Sequence, residues 1–250
     1  MSEFDRAAAT YDRTRRPPSL TEVRAVLAAL GGRGRILDVA TGTGRYALPL
    51  SEMGLDVVGV DLSRRMLEVA RAKGLRALVQ GDGLRLPFPD GTFDGALAVH
   101  ALQAVPDPVS MLHEMARVAR RNLVANMPPD PEERKQRVQD RFEKAWARYF
   151  EEAEKRGYSM QLSPQNEEAR RRVLDECPPA QVIRVEVPGP FFPEDMTWED
   201  VRDFSGLFTV PPEVHAEIVK EVGALPRQTI PDRPRVVELA RWDAPALRRR

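Results

Sequence analysis

The sequence predicts an α/β protein, a largely parallel sheet with helices on both faces. Three observations predict it. Short apolar runs alternate with segments of helical periodicity through the first half of the chain. The first run closes in a glycine turn, Arg35-Ile-Leu-Asp-Val-Ala-Thr-Gly-Thr-Gly44. The second, Asp56-Val-Val-Gly-Val-Asp61, ends in an acid about twenty residues beyond that turn. Apolar strand, acid, tight turn, helix, apolar strand and second acid together make a nucleotide-binding half.

Taken in order, apolar runs at 35–40, 56–60, 77–80, 93–99 and 122–127 predict five strands of a parallel sheet. Two later runs, Val182-Ile-Arg-Val-Glu-Val187 and Arg235-Val-Val-Glu-Leu-Ala-Arg241, alternate apolar and polar residues and predict strands nearer an edge. Between the fifth and sixth runs, Pro131 to Gly157 carries Val138, Phe142, Ala145, Trp146, Tyr149, Phe150 and Ala153 as a helical stripe on a charged background. Further on, Thr197-Trp-Glu-Asp200 has capping-box spacing and opens a helix expected to reach Phe208. Pro211-Pro212 starts another, with Val214, Ile218 and Val222 on one face. These excursions are candidates either for a lid over a substrate or for patches on the sheet's faces. The expected organisation is a single domain over 1–250, with a helical segment at 1–19 and helical elaborations at 129–180 and 189–230.

Composition narrows the classes. The chain has 250 residues, 42% hydrophobic, enough for a sizeable core. Its 38 basic and 38 acidic residues cancel, so no global field draws it to nucleic acid or an anionic membrane. Cys177 is the only cysteine, which excludes an intramolecular disulfide and a cysteine metal cluster. No apolar stretch is long enough to span a bilayer, and the N-terminus does not read as a signal peptide. A soluble cytoplasmic protein is expected.

The chemistry concentrates at the strand ends. Gly42 and Gly44 let the backbone approach a ligand closely, and the helix expected from about Arg45 points its positive end there. Asp38, near the end of the first strand, would repel a pyrophosphate and suits a ligand carrying an ammonium group. Asp61 stands where an acid receives both ribose hydroxyls, or it caps the next helix; Ser63 could take the capping role and leave Asp61 for the sugar. In Gly81-Asp-Gly83, a carboxylate between glycines can meet an adenine amino group while the next N–H meets a ring nitrogen.

Leu37-Asp-Val-Ala-Thr-Gly-Thr-Gly44, Val58-Gly-Val-Asp-Leu-Ser63, Gly81-Asp-Gly83, Leu86-Pro-Phe-Pro-Asp-Gly-Thr-Phe-Asp94 and Val105-Pro-Asp-Pro108 together resemble the class I S-adenosylmethionine-dependent methyltransferases. The likeness is to the small-molecule branch that includes ubiquinone and menaquinone biosynthesis enzymes, and it covers about residues 4 to 127. It implies a Rossmann-like seven-stranded sheet of order 3-2-1-4-5-7-6, the last strand antiparallel, with S-adenosylmethionine across the carboxyl ends of the first strands. Carried over, Asp38 and the turn Ala40, Thr41, Gly42 and Gly44 hold the methionine part. Asp61 takes the ribose, with Leu62 and Met66 beside it; Gly81, Asp82 and Gly83 take the adenine. Phe4-Asp-Arg-Ala-Ala-Ala-Thr-Tyr-Asp-Arg-Thr-Arg15 is similar to the segment whose Tyr and Arg close over the cofactor, which implies contacts from Tyr11 and Arg15. His100 matches the position facing the transferred methyl and is the candidate general base. Where many relatives carry Lys-Pro-Gly-Gly before the fifth strand, this chain reads Arg117-Val-Ala-Arg-Arg-Asn122.

The expected reaction is methyl transfer to a small, partly apolar acceptor, with no metal. Trp146, Tyr149, Phe150, Phe191, Phe192, Trp198, Phe204 and Phe208 could line the acceptor pocket or serve as ordinary core. His113 and His215 are expected as surface or packing residues. Three alternatives stand beside this one. A catalytically silent cofactor-binding sensor or partner subunit keeps the fold; an NAD-dependent oxidoreductase is opposed by Asp38; a nucleic-acid methyltransferase lacks an Asn-Pro-Pro-Tyr element and a basic face.

Overall fold

The computed structural model describes residues 4–5, 8–13, 15, 17–127, 141–158, 164–187, 197–199, 210–225 and 235–248. Seven strands form one sheet: β1 (Arg35–Val39), β2 (Asp56–Asp61), β3 (Leu78–Gln80), β4 (Phe93–Ala98), β5 (Ala119–Asn126), β6 (Gln181–Val187) and β7 (Arg235–Asp243). Their order is β3-β2-β1-β4-β5-β7-β6, and β7 alone runs antiparallel to its neighbours. This is the expected topology.

Strands β1 and β2 are buried from Ile36 to Val39 and from Val57 to Val60 because both faces are covered. Successive side chains go to opposite cores. Leu37, Val39, Val58 and Val60 meet Met111, Leu112 and Met115 of α4 (Pro108–Val118) on one face. Ile36, Val57, Leu97 and Val124 meet Val23, Val26 and Leu30 of α1 (Leu20–Leu30) and Leu50 of α2 (Ala47–Glu52) on the other. Helix α1 begins in a complete capping box, Ser19 with Glu22, and ends at Gly31 with φ +96°. Strand β6 lies at the sheet's edge and is mostly exposed outside Val185 and Val187, which explains its alternation.

The join between α4 and β5 differs from the expectation. The fifth strand starts at Ala119, not near residue 122, and the helix passes into it with no intervening turn. Arg117 explains how the chain holds this. Its guanidinium donates to the carbonyls of Leu86 and Phe88 at 2.9 and 2.8 Å and pairs with Glu114 and Asp90, tying the last turn of α4 to the loop before β4. Glu114 and then Asp90 raise the Arg117 pKa further above its ordinary value.

The excursions pack on each other. Tyr149 and Ala153 of α5 (Arg141–Lys155) meet Trp198, Val210 and Ile218, the last on α7 (Pro212–Val222), in a satellite core that contains no strand residue among those described. The predicted helix is therefore present from Arg141 and its apolar stripe from Ala145, while Val138 and the rest of 128–140, and the side chain of Phe142, lie outside what is described. The same holds for Phe191, Phe192, Phe204 and Phe208. Helix α6 (Pro164–Glu176) instead joins the main core, with Val173 and Cys177 against the α4 side.

Candidate functional site

Strand order reverses between β1 and β4, and in open α/β sheets a ligand crevice forms at the carboxyl ends of such a pair. At the tip of β1 the backbone turns sharply: Ala40, Gly42 and Gly44 have φ of +56°, +57° and +80°. Ala40 is notable because a Cβ disfavours this region. The turn is held by Thr41, whose N–H donates to Val60 O at 3.0 Å and whose carbonyl accepts from Gly44 at 2.9 Å. Its hydroxyl donates to Asp38 Oδ2 at 2.8 Å. A Cβ on Gly42 would meet no atom within 4 Å, so the backbone there faces open space. The following helix starts at Ala47, two residues later than expected.

Asp38 is fully buried. Burial pushes its carboxyl up to about 7; the Thr41 hydroxyl pulls against this, the Asp61 charge adds to it, and the Ala47 N–H pulls against it again. With Tyr11, Ala40, Thr41 and Gly42 it lines a cavity of about 30 Å³, closed also by Thr43, Arg45, Tyr46 and Val99. These last four escaped sequence reasoning. Arg45 and Tyr46 directly follow the turn, which was the one available signal; Val99 arrives through the pairing of β1 with β4.

At the tip of β2, Asp61 accepts from Ser63 N–H and Gly42 N–H, both at 2.8 Å. Burial raises its pKa, and these two backbone bonds lower it. Ser63 caps α3 (Arg64–Ala72) by accepting from Met66 N–H at 3.2 Å, so Asp61 is not the cap. Leu62 is exposed. Met66 is buried against Ala8, Phe4 and Tyr11 of the N-terminal segment. At the tip of β3, Gly81 N–H donates to Asp61 O at 3.0 Å, whereas the exposed Asp82 accepts from Leu84 N–H at 2.9 Å within its own loop. A Cβ on Gly83 would lie 2.5 Å from Met111 Cε and 3.1 Å from Val39 Cγ1, so the Met111 side chain would have to shift to admit one.

The N-terminal segment is pinned over this crevice. Thr43 Oγ1 donates to Asp12 at 2.6 Å, Lys73 pairs with Asp12 at 2.7 Å, and Ser63 Oγ donates to Asp5 at 2.6 Å. Arg15 lies over the Tyr11 ring, 5.1 Å from its centroid. Burial pulls its pKa down, Tyr11 opposes that, and Arg45 adds repulsion.

His100 follows Val99 beyond β4, in the left-handed region at φ +61°. Its N–H donates to Oδ1 of Asn126, the last residue of β5, and Asn126 Nδ2 lies 3.4 Å from His100 Nδ1. Asn126 also went unrecognised in the sequence. Elsewhere, His215 is buried with Nδ1 2.7 Å from the Tyr149 hydroxyl, and His113 is exposed with Nε2 3.7 Å from Cys177 Sγ. Tyr149 and Trp198 stack on each other inside the satellite core.

Residues 37–123 match the protein family described as methyltransferase domain. A demethylmenaquinone methyltransferase from Beutenbergia cavernae is 43% identical over 124 residues, 47% of this chain and 52% of the relative. A phosphatidylethanolamine N-methyltransferase from Cereibacter sphaeroides is 43% identical over 95 residues, 35% of this chain and 46% of the relative. The chain spans about half the length of the curated relatives it matches. Among solved structures, an S-adenosylmethionine-dependent methyltransferase from Thermotoga maritima aligns with TM-score 0.53 at 20% identity, covering 97% of this chain and 98% of the other. That similarity concerns the fold. Sheet order, strand-end motifs and the matched stretch agree: residues 37–123 are similar to a methyltransferase domain, set here in a seven-stranded sheet of order β3-β2-β1-β4-β5-β7-β6.

Proposed function

We propose that the protein transfers the methyl group of S-adenosylmethionine to a small-molecule acceptor. The observation that carries this reading is Asp38, a buried carboxylate lining the cavity at the carboxyl ends of β1 and β4, where the strand order reverses. Its raised pKa reflects an anion short of solvation, which a ligand with an ammonium tail and a sulfonium would supply with countercharge. Arg45, which lines the same cavity, and Arg15, which lies over the Tyr11 ring, suit the carboxylate of the same amino acid tail. The group therefore fits the residues present, provided that the Tyr11 segment gives way, because the present cavity holds little more than one water.

In this reading Asp38 and the Ala40–Gly44 turn hold the methionine part, and Tyr11 and Arg15 close over it. Asp61 receives the ribose hydroxyls on lone pairs its two backbone bonds leave available. Leu62 and Met66 flank the sugar, and Gly81, Asp82 and Gly83 border the adenine. Of the elaborations, α5 and α7 are the described helices that would stand on the acceptor side, although Tyr149 and Trp198 are committed to their own core.

The bound donor supplies an activated methyl group. What the chain contributes is alignment and exclusion of water, and orientation of that kind is worth roughly 7–11 kcal/mol. The names of the relatives favour a small, partly apolar acceptor.

Calorimetry with S-adenosylhomocysteine, followed by labelled-methyl transfer to panels of amines, phenols and quinols, tests the reading. Binding and turnover are expected. Absence of binding at millimolar ligand overturns it, and binding without turnover on any panel reduces it to cofactor recognition.

A further inference from the structure

We propose that Asn126 is a positioning residue that fixes both the backbone and the ring tautomer of His100, so that His100 acts as a neutral Nε2–H donor and not as a general base. The tautomer assignment stands on geometry alone; only its consequence for the acceptor rests on the methyl-transfer reading.

The argument begins with the backbone. A left-handed histidine is uphill and persists where its surroundings hold it. Here the side chain of Asn126 holds it, by accepting the His100 N–H. A backbone N–H can only donate, so the Asn126 atom facing it is the oxygen, which removes the usual ambiguity in the orientation of an amide. The NH₂ is then the group 3.4 Å from His100 Nδ1 and 3.4 Å from the carbonyl of Met127. The carbonyl accepts one amide hydrogen. The other points at Nδ1, which must present its lone pair, since two N–H groups cannot face each other at this distance. The ring proton therefore sits on Nε2. Placing a proton on Nδ1 would set two N–H dipoles against each other.

A ring with its proton on Nε2 cannot take another there. The acceptor must then bring its own lone pair, as an unprotonated amine or an already ionised oxygen, sulfur or carbon. His100 would hold a neighbouring acceptor atom of that substrate in line.

The chain has 3 histidines, which makes the test tractable. Long-range ¹H–¹⁵N correlation on protein labelled at histidine, assigned with His100→Gln, His113→Gln and His215→Gln, reads each tautomer near neutral pH. The expected result for His100 is Nε2–H. In Asn126→Asp the carboxylate can accept from both the His100 N–H and an Nδ1–H, and the tautomer should switch. A His100 that is Nδ1–H in the unaltered protein overturns the proposal with no variant needed, as does an Nε2–H signal unchanged in a folded Asn126→Asp. Failure to bind S-adenosylhomocysteine would sink the methyl-transfer reading and leave the tautomer result standing.

Discussion

The amide of Gly42 donates to Oδ2 of Asp61 across 2.8 Å, so the acid at the end of one strand holds the glycine turn at the end of its neighbour. The other oxygen receives Ser63 N–H and fixes the start of α3. One carboxylate thus aligns two backbone elements that border the crevice before any ligand arrives.

Replacing that carboxylate should therefore cost both stability and affinity. Asp61→Ala leaves two partly buried N–H groups without their acceptor, worth about 1–3 kcal/mol for each one that water does not reach. Thermal unfolding should shift down, and calorimetric affinity for S-adenosylhomocysteine should fall at least about tenfold. An Asp61→Ala protein that binds as tightly as its parent would contradict the assigned role.

Asp38 predicts a pH dependence of definite sign. Its folded value of about 7 lies above the roughly 3.9 of an unfolded aspartate. The folded state thus holds an extra proton between those values. This group's contribution to stability is complete below the lower value and is lost as pH rises through about 7. A cationic ligand prefers the ionised form, so affinity should climb over the approach to about pH 7 and then level, with proton release on binding. Calorimetry in buffers of different ionisation enthalpy measures that release. Asp38→Asn should flatten both profiles and weaken binding on the alkaline side.

Gly59 offers a test of the latch beneath the turn. A Cβ there would lie 2.8 Å from Thr41 Cγ2 and 3.0 Å from Thr41 Oγ1. Gly59→Ala should push Thr41 off Asp38 and destabilise the protein by roughly 1–3 kcal/mol. The cost should shrink in a Thr41→Ala background, where Leu78 Cδ2 at 3.0 Å is the close contact that remains; equal costs in both backgrounds by denaturant titration would show that Thr41 is not what resists the methyl group.

The N-terminal clamp should matter more to access than to stability. Asp12→Ala removes the contacts with Thr43 and Lys73, of which the exposed ion pair is worth only about 0–1 kcal/mol. The melting temperature should barely move, while tryptic cleavage after Arg13 accelerates. Saturating S-adenosylhomocysteine should slow that cleavage if the segment closes over the ligand, and leaving the rate unchanged would argue against closure.

Much of this was legible from local pattern. The continuous apolar runs of β1 and β2, the glycine turn after Asp38, the capping box at Ser19 and the stripe through Trp146 and Tyr149 are carried by residues a few positions apart. Strand order and the antiparallel β7 came from the resemblance of motifs and not from periodicity. Other features had no local signature. Arg117 replaces a glycine turn by gripping carbonyls about thirty residues away, Val99 closes the Asp38 cavity, and Asn126 reaches His100 across 26 positions. The sequence by itself determined which segments become strands and helices and which acids end them, because side-chain periodicity and turn chemistry act over a few residues. Only the tertiary structure decided which strand tips meet, because the pairing of β4 with β1 and β5 sets distances that no spacing along the chain encodes.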